Sequence, residues 1–486
     1  MLKKILIGAF VLFFSAAFLS ENASKWEIAI DTRGYLGASL KKPWGSKRTP
    51  GLKYYIKALG QFDPIFGVFH PPAPEFAAYT RNALADEKAD KALLFVSRAN
   101  FLLLITGLAF LGVSLSLHVN MPLAMAAPAL ILALTPLPDT SKILTEPLGA
   151  ALLLAAVSFG LCFAHGRKLI FLLALAVVSA YAFLLRPAMI FMPVLAGLII
   201  LAVLAAAWRR KQKARAWLTM AIGLLLLLGT AILPWRLYSQ SGLFVTSQAQ
   251  STTDIMRAIY LLQPGDENLF TQERDKSYVI RLLELKPEFD RIMHDEFYPM
   301  GRDKYSKVYR LVGCFDRYYY RGFFYDEYKK LYPDVIGKYK NNALIQAIIA
   351  KDLARPIVRN HFAEYLTIAG CSFLSAWNFY PDTKPSIFGK KIRGLGIDER
   401  LVPFIFILFL LIIAASLWAG TPALKLPILF IGAIHPLAVL IISFGLGVIP
   451  RYLELTEWCL SLAVILAIHS LLTERFFTII RREASL

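Results

Sequence analysis

Long apolar runs separated by short polar segments dominate the chain. They begin near Leu93, Pro122, Leu144, Lys168, Ala188, Trp217, Leu401, Leu426 and Leu455, and an earlier run from Ile5 to Leu19 follows Lys3 and Lys4. Each has the length of a bilayer-crossing helix, so the pattern predicts an all-α integral membrane protein with about ten transmembrane helices. The first run, basic at its head and apolar behind, fits both a cleavable signal peptide and a short first span. Its small-residue context, Ser15-Ala16-Ala17, falls inside the apolar run, which favours a retained helix.

The polar segments are of two sizes. Short ones carry clustered cations: HGRK at 165–168, WRRKQKAR at 208–215, Lys425, and RFFTIIRR near the C-terminus. Basic loops stay on the cytoplasmic side, and placing Lys3 and Lys4 there puts all of these there too, with both termini inside. Residues 361–380, HFAEYLTIAGCSFLSAWNFY, are apolar enough to count as another span but contain Glu364 and Asn378. Counting them would move the basic tail outside, so this segment is read as an interfacial helix.

Two large polar regions, 21–91 and 236–400, then fall on the extracytoplasmic side. The chain divides into an N-terminal transmembrane half (1–235), an external region (236–400) and C-terminal spans (401–486). Helix-spaced apolar residues in 253–262 and 340–365 predict amphipathic helices resting on the membrane rather than a separate globular domain.

Composition agrees. The 486 residues are 57% hydrophobic, which excludes an ordinary soluble domain. A net charge of +19 would suggest nucleic acid in a soluble chain, but here the cations cluster between apolar runs, and no nucleic-acid partner is implied. Cys162 and Cys459 lie in apolar runs, whereas Cys314 and Cys371 share the second polar region and can pair if it is extracytoplasmic. His70 and His294 have no second histidine at ligand spacing, which leaves a histidine metal site unsupported.

Charged groups at the outward ends of spans are costly in lipid and therefore informative. Four clusters occur there: Asp31 with Tyr35; Arg48-Thr49-Pro50-Gly51; Thr145-Glu146-Pro147 with Asp139 and Lys142; and Arg186-Pro187 with Arg451-Tyr452. Through IDTRGYLGASL, RTPGLKYY, LTEPLGA, LLRPA, LPWRLYSQSGLFV and IPRYLELTEW, in this order, the chain resembles the GT-C membrane glycosyltransferases. That superfamily contains the protein O-mannosyltransferases and the lipid A aminoarabinose transferases. The resemblance implies a polyprenyl-phosphate sugar donor, an extracytoplasmic acceptor, and Asp31 as the acid of the first external loop. The sequence departs from the family at Leu52-Lys53, where a proline usually stands two residues after the Pro-Gly.

The chemistry of sugar transfer asks for these residue types. A carboxylate takes the acceptor's proton and cations offset charge growing on the departing phosphate. Asp31, with Glu146 in support, supplies the first; Arg48, Arg186 and Arg451 supply the second through guanidinium forks. Tyr35, Asp139, Lys142 and Tyr452 are candidates for positioning substrate.

Each residue also has a plainer reading. Asp31 can be a solvated loop acid, Glu146 can complement a helix dipole, and Arg48 and Arg186 can reach lipid phosphate. Asp31, Asp139 and Glu146 together can hold a divalent cation through oxygen ligands. The aromatic run around Tyr318-Tyr319-Tyr320 can stack on sugar, or face the membrane from an interfacial helix. Two other functions compete: a polymerase or ligase of lipid-linked glycans, which needs no acid in the first loop, and a transporter or lipid flippase. Inner-membrane localisation and an active site on the extracytoplasmic face follow from the transferase reading.

Overall fold

The computed structural model describes residues 2–19, 51–60, 87–134, 145–242, 244–245, 248–297, 323–338, 342–376, 386–387, 390–391, 402–445 and 450–483. Each apolar run predicted above is helical. In order they form α1 (Leu2–Leu19), α3 (Glu87–Leu115), α4 (Met121–Leu134), α5 (Thr145–Gly166), α6 (Leu169–Leu185), α7 (Phe191–Arg209) and α8 (Lys213–Ser241). A short helix α2 (Gly51–Gly60) precedes α3. The C-terminal helices are α16 (Val402–Ala419), α17 (Pro422–Gly445) and α18 (Pro450–Glu483).

Among the described residues, five helical stretches are long and apolar enough to cross a membrane: Leu94–Leu115, Thr145–Gly166, Pro187–Arg209, Lys213–Gln240 and Pro422–Ser443. Shorter apolar helical stretches lie at Met121–Leu132, Leu169–Leu185, Ile407–Ala419 and Trp458–Glu474. The protein is therefore a helical membrane protein.

Helix ends follow local chemistry. Asn120 caps α4 by accepting the Leu123 N–H on its side-chain oxygen at 3.1 Å. Arg186 ends α6 in an extended conformation (φ −152°, ψ 112°), as expected before a proline, and a 3₁₀ turn Pro187–Ile190 leads into α7. Gly242 (φ 67°) closes α8 with its N–H on the Tyr238 carbonyl at 2.7 Å.

Packing distinguishes centre from edge. The most apolar window of α5 is 78% buried, whereas that of α8 is 28% buried and leaves residues such as Leu224, Leu227 and Leu228 facing outward. In a membrane protein such outward leucines meet lipid. Helix α1 belongs to the bundle core: Ile7 and Val11 are buried and pack at Gly112 of α3.

Small residues permit close approach. A Cβ on Gly107 would meet Leu154 Cβ at 3.1 Å, and one on Gly229 would meet Ala180 Cβ at 2.9 Å. The Phe430 ring of α17 occupies the space above Gly160 of α5. The basic turns share one end of the bundle, where Arg215 Nη2 donates to the Arg167 carbonyl at 2.9 Å.

The polar region 236–400 is helical through most of its described residues. Its described helices are α9 (Gln248–Leu261), α10 (Glu273–Phe297), α11 (Phe323–Leu331), α12 (Pro333–Lys338), α13 (Asn342–Ile349), α14 (Arg355–Asn360) and α15 (Phe362–Ala376). A π turn Ala350–Ala354 joins α13 to α14, and a two-stranded pair, β1 (Ser386–Ile387) and β2 (Lys390–Lys391), follows α15.

Several of these helices bury apolar faces on one another. Ile255, Ile259, Leu262, Val279, Ile345 and Leu353 form a second core continuous with Leu233 and Leu237 of α8. Tyr328 and Tyr332 stack at 4.2 Å between centroids, and Tyr278 meets both edge-on. Asp266 fixes the corner between α14 and α15, bonding His361 Nε2 at 2.8 Å and accepting from Asn360 Nδ2 at 3.1 Å. The apolar stripes had a partner available in each other, and burial against protein satisfies them as well as a membrane surface does.

Candidate functional site

The described part of the predicted site centres on the start of α5 and the end of α6. These helices are antiparallel neighbours, which brings Glu146 and Arg186 together. Arg186 Nη1 lies 2.9 Å from Glu146 Oε1, and the two side chains are 4% and 11% exposed. The pair meets the distance of an ion pair without the alignment of a hydrogen bond. Thr145, itself fully buried, donates its hydroxyl to Glu146 Oε2 at 3.2 Å. The acid also sits in the first turn of α5, where the helix dipole favours negative charge. Burial of Glu146 is therefore offset three ways: by an opposite charge, by a hydroxyl and by backbone dipoles.

Other motif-bearing elements meet at this end. Gly149, one turn below Glu146, is approached by Met189 of the 3₁₀ turn and by Leu455 of α18; a Cβ there would meet Met189 Sδ at 3.2 Å and Leu455 Cδ1 at 3.8 Å. Leu455 lies one helical turn beyond Arg451 along α18. Helix α2, which begins at Gly51 directly after Arg48-Thr49-Pro50, packs against α6, and its Leu52 and Tyr55 are buried. The second core joins the bundle at the same end, because Leu184, beside Arg186, packs against it.

Asp31, Tyr35, Arg48, Asp139 and Lys142 lie outside the described residues, as do the side chains of Arg451 and Tyr452. Cys314 and the Cys371 side chain are outside them too, while Cys162 and Cys459 are buried free thiols. Of the predicted set, Glu146 and Arg186 are thus the residues seen brought together. Among the described residues there is no group of three or more His, Cys, Asp or Glu side chains able to hold a metal ion. Asp31 and Asp139, the other members of the three-acid set, lie outside the described residues.

One residue was missed by sequence reasoning. Asn100 of α3 is 1% exposed, and among the described residues neither its amide nitrogen nor its amide oxygen has a hydrogen-bond partner. Its place follows from helix register. Asn100, Gly107 and Ser114 recur every seven residues and so share a face of α3. Gly107 faces Leu154, and Ser114 Oγ lies 3.4 Å from Cys162 Sγ, so α3 and α5 run parallel at a nearly constant offset. Carried back one heptad, that offset sets Asn100 opposite Pro147, at the level of the Glu146–Arg186 pair. An amide so placed costs about 1–3 kcal/mol for each orphaned group, a cost that a bound polar ligand removes. The available signal was an asparagine inside an apolar run, on a stripe of small and polar residues.

No family model, no curated protein and no solved structure matches this chain.

Proposed function

We propose that the protein is an integral membrane glycosyltransferase of the GT-C kind, with about ten transmembrane helices, that moves a sugar from a polyprenyl-phosphate donor to an extracytoplasmic acceptor. One observation carries this reading. The buried Glu146–Arg186 ion pair sits where the starts of α5 and α18 meet the end of α6, and α2 packs on α6; these helices border the motif residues. Charged side chains are kept inside an apolar bundle chiefly where they mark a substrate path or a paired structural contact. The orphaned amide of Asn100 at the same level favours a polar occupant.

In this mechanism the donor enters from the bilayer with its phosphate toward Arg48, Arg186 and Arg451. The acceptor oxygen attacks the anomeric carbon from the face opposite the phosphate while Asp31 takes the hydroxyl proton. The bond from that carbon to the phosphate oxygen breaks, its electron pair leaves with the polyprenyl phosphate, and the anomeric configuration inverts. Glu146 holds the Arg186 guanidinium in orientation, and Tyr35, Asp139, Lys142 and Tyr452 position the substrates. The site faces the extracytoplasmic side of an inner membrane, and the basic turns at the opposite end face the cytoplasm.

The decisive experiment pairs chemistry with cell analysis. Asp31→Asn abolishes transfer while expression and membrane insertion persist, and mass analysis of a deletion strain shows both the accumulated lipid-linked sugar and the unglycosylated acceptor. Normal turnover by Asp31→Asn defeats the mechanism. If that variant is active while Arg451→Ala is dead, a polymerase or ligase replaces the transferase. Lipid flipping by the purified protein in liposomes, without sugar transfer, makes it a transporter.

A further inference from the structure

The opposite end of the bundle carries a feature that the transferase reading does not use. Helices α7 and α8 are joined by a tight basic turn, and the hairpin encloses a cavity of about 410 Å³ lined by Trp208, Lys211, Lys213, Trp217 and Met220. Ala207 and Ala216 form its buried floor, while the two tryptophans are 66% and 65% exposed. Tryptophan favours the headgroup level of a bilayer, where its ring is apolar and its N–H is wet.

Charge is one-sided here. Arg209, Arg210, Lys211, Lys213 and Arg215 occupy the turn and its flanks, and the sequence contains no Asp or Glu between Glu146 and Asp254. The neighbouring turn adds Arg167 and Lys168 and is tied on by the Arg215–Arg167 bond.

Backbone conformation gives an independent sign. The turn closes as a Schellman motif: Lys211 N–H bonds the Trp208 carbonyl at 3.0 Å and Gln212 N–H bonds the Ala207 carbonyl at 2.9 Å. The left-handed position of that motif normally takes glycine, yet here it holds Lys211 (φ 55°), and the neighbouring turn holds Arg167 (φ 52°). Among the described residues these are the non-glycine residues with positive φ, and both are basic. Glycine suits this conformation better, so each cation sits there at a conformational cost.

We propose that this hairpin is a binding site for the headgroup of an anionic phospholipid. The phosphate lies between Lys211 and Lys213, the two tryptophans flank the glycerol and upper acyl region, and Met220 meets the chain. Basic pockets between helices on the cytoplasmic side recognise acidic headgroups in this way.

The test uses the full-length protein in detergent, offered phosphatidylglycerol, phosphatidylcholine or inorganic phosphate, with retained lipid read by native mass spectrometry. The parent retains phosphatidylglycerol selectively, and inorganic phosphate does not displace it. Lys211→Gly weakens retention about fivefold, and adding Lys213→Gln brings the loss to roughly twentyfold. Because glycine suits the left-handed turn, Lys211→Gly unfolds no earlier than the parent on heating, which separates loss of binding from loss of structure. Equal retention of the two lipids by the parent overturns the proposal, as does unchanged retention in the double variant. Displacement by phosphate as readily as by lipid also overturns it, by making the site one for free anions. Should the variants fold poorly, the selectivity of the parent decides alone.

Discussion

Glu146 and Arg186 would each be costly in an apolar bundle without the other. Truncating one member of a buried pair typically costs about 3–5 kcal/mol, whereas replacing both with apolar residues is often neutral. We therefore expect Glu146→Leu and Arg186→Leu each to lower thermal stability sharply, and the double variant to recover most of the loss. Its activity then separates the two roles of the pair: transfer stays absent if Arg186 serves the donor phosphate, and returns with stability if the pair only joins α5 to α6. Asn100 makes the reverse case. Replacing an orphaned amide with a leucine of similar size removes unmet polar groups, so Asn100→Leu should leave the melting temperature unchanged or raised while lowering sugar transfer. A variant that melts earlier and transfers normally would make Asn100 a packing residue.

At the scale of elements, stability comes from close helix approach. The Phe430 ring fills the space where a Gly160 side chain would stand, so α17 reaches α5 only because that residue is glycine. Gly160→Val should cost about 1–3 kcal/mol by overpacking, measured as a drop in the detergent melting temperature, and Phe430→Ala in the same chain should restore part of it. The helices themselves were legible from the sequence, since run length and turn residues act locally. What they pack against was not. The stripes of 253–262 and 340–365 predicted amphipathic helices, and Ile255, Ile259, Ile345 and Leu353 share a core with α8, a partner that spacing alone does not name. An amphipathic stripe records only that one face avoids water, which lipid and protein both satisfy.

Across the whole molecule, the two ends of the bundle differ in chemistry. One gathers the buried ion pair, the orphaned amide and the second core; the other gathers the basic turns joined by Arg215 and Arg167. The positive-inside preference then orients the protein. A reporter fused after Leu486 should read cytoplasmic, and one inserted near Gly265 should read extracytoplasmic; any other result inverts or breaks the layout.

The sequence by itself determined the membrane class, the helix segments, the grouping of cations into short turns, and the candidacy of Glu146 and Arg186. These follow from composition and local spacing, which are properties of neighbouring residues. Only the tertiary structure decided that Glu146 pairs with Arg186, that Asn100 stands level with them, that the polar-region helices close on one another, and that Lys211 and Arg167 occupy glycine-like turns side by side. Each depends on the axial register and rotation between distant helices. That register is set by side-chain fit across the whole bundle, so no single stretch of sequence contains it.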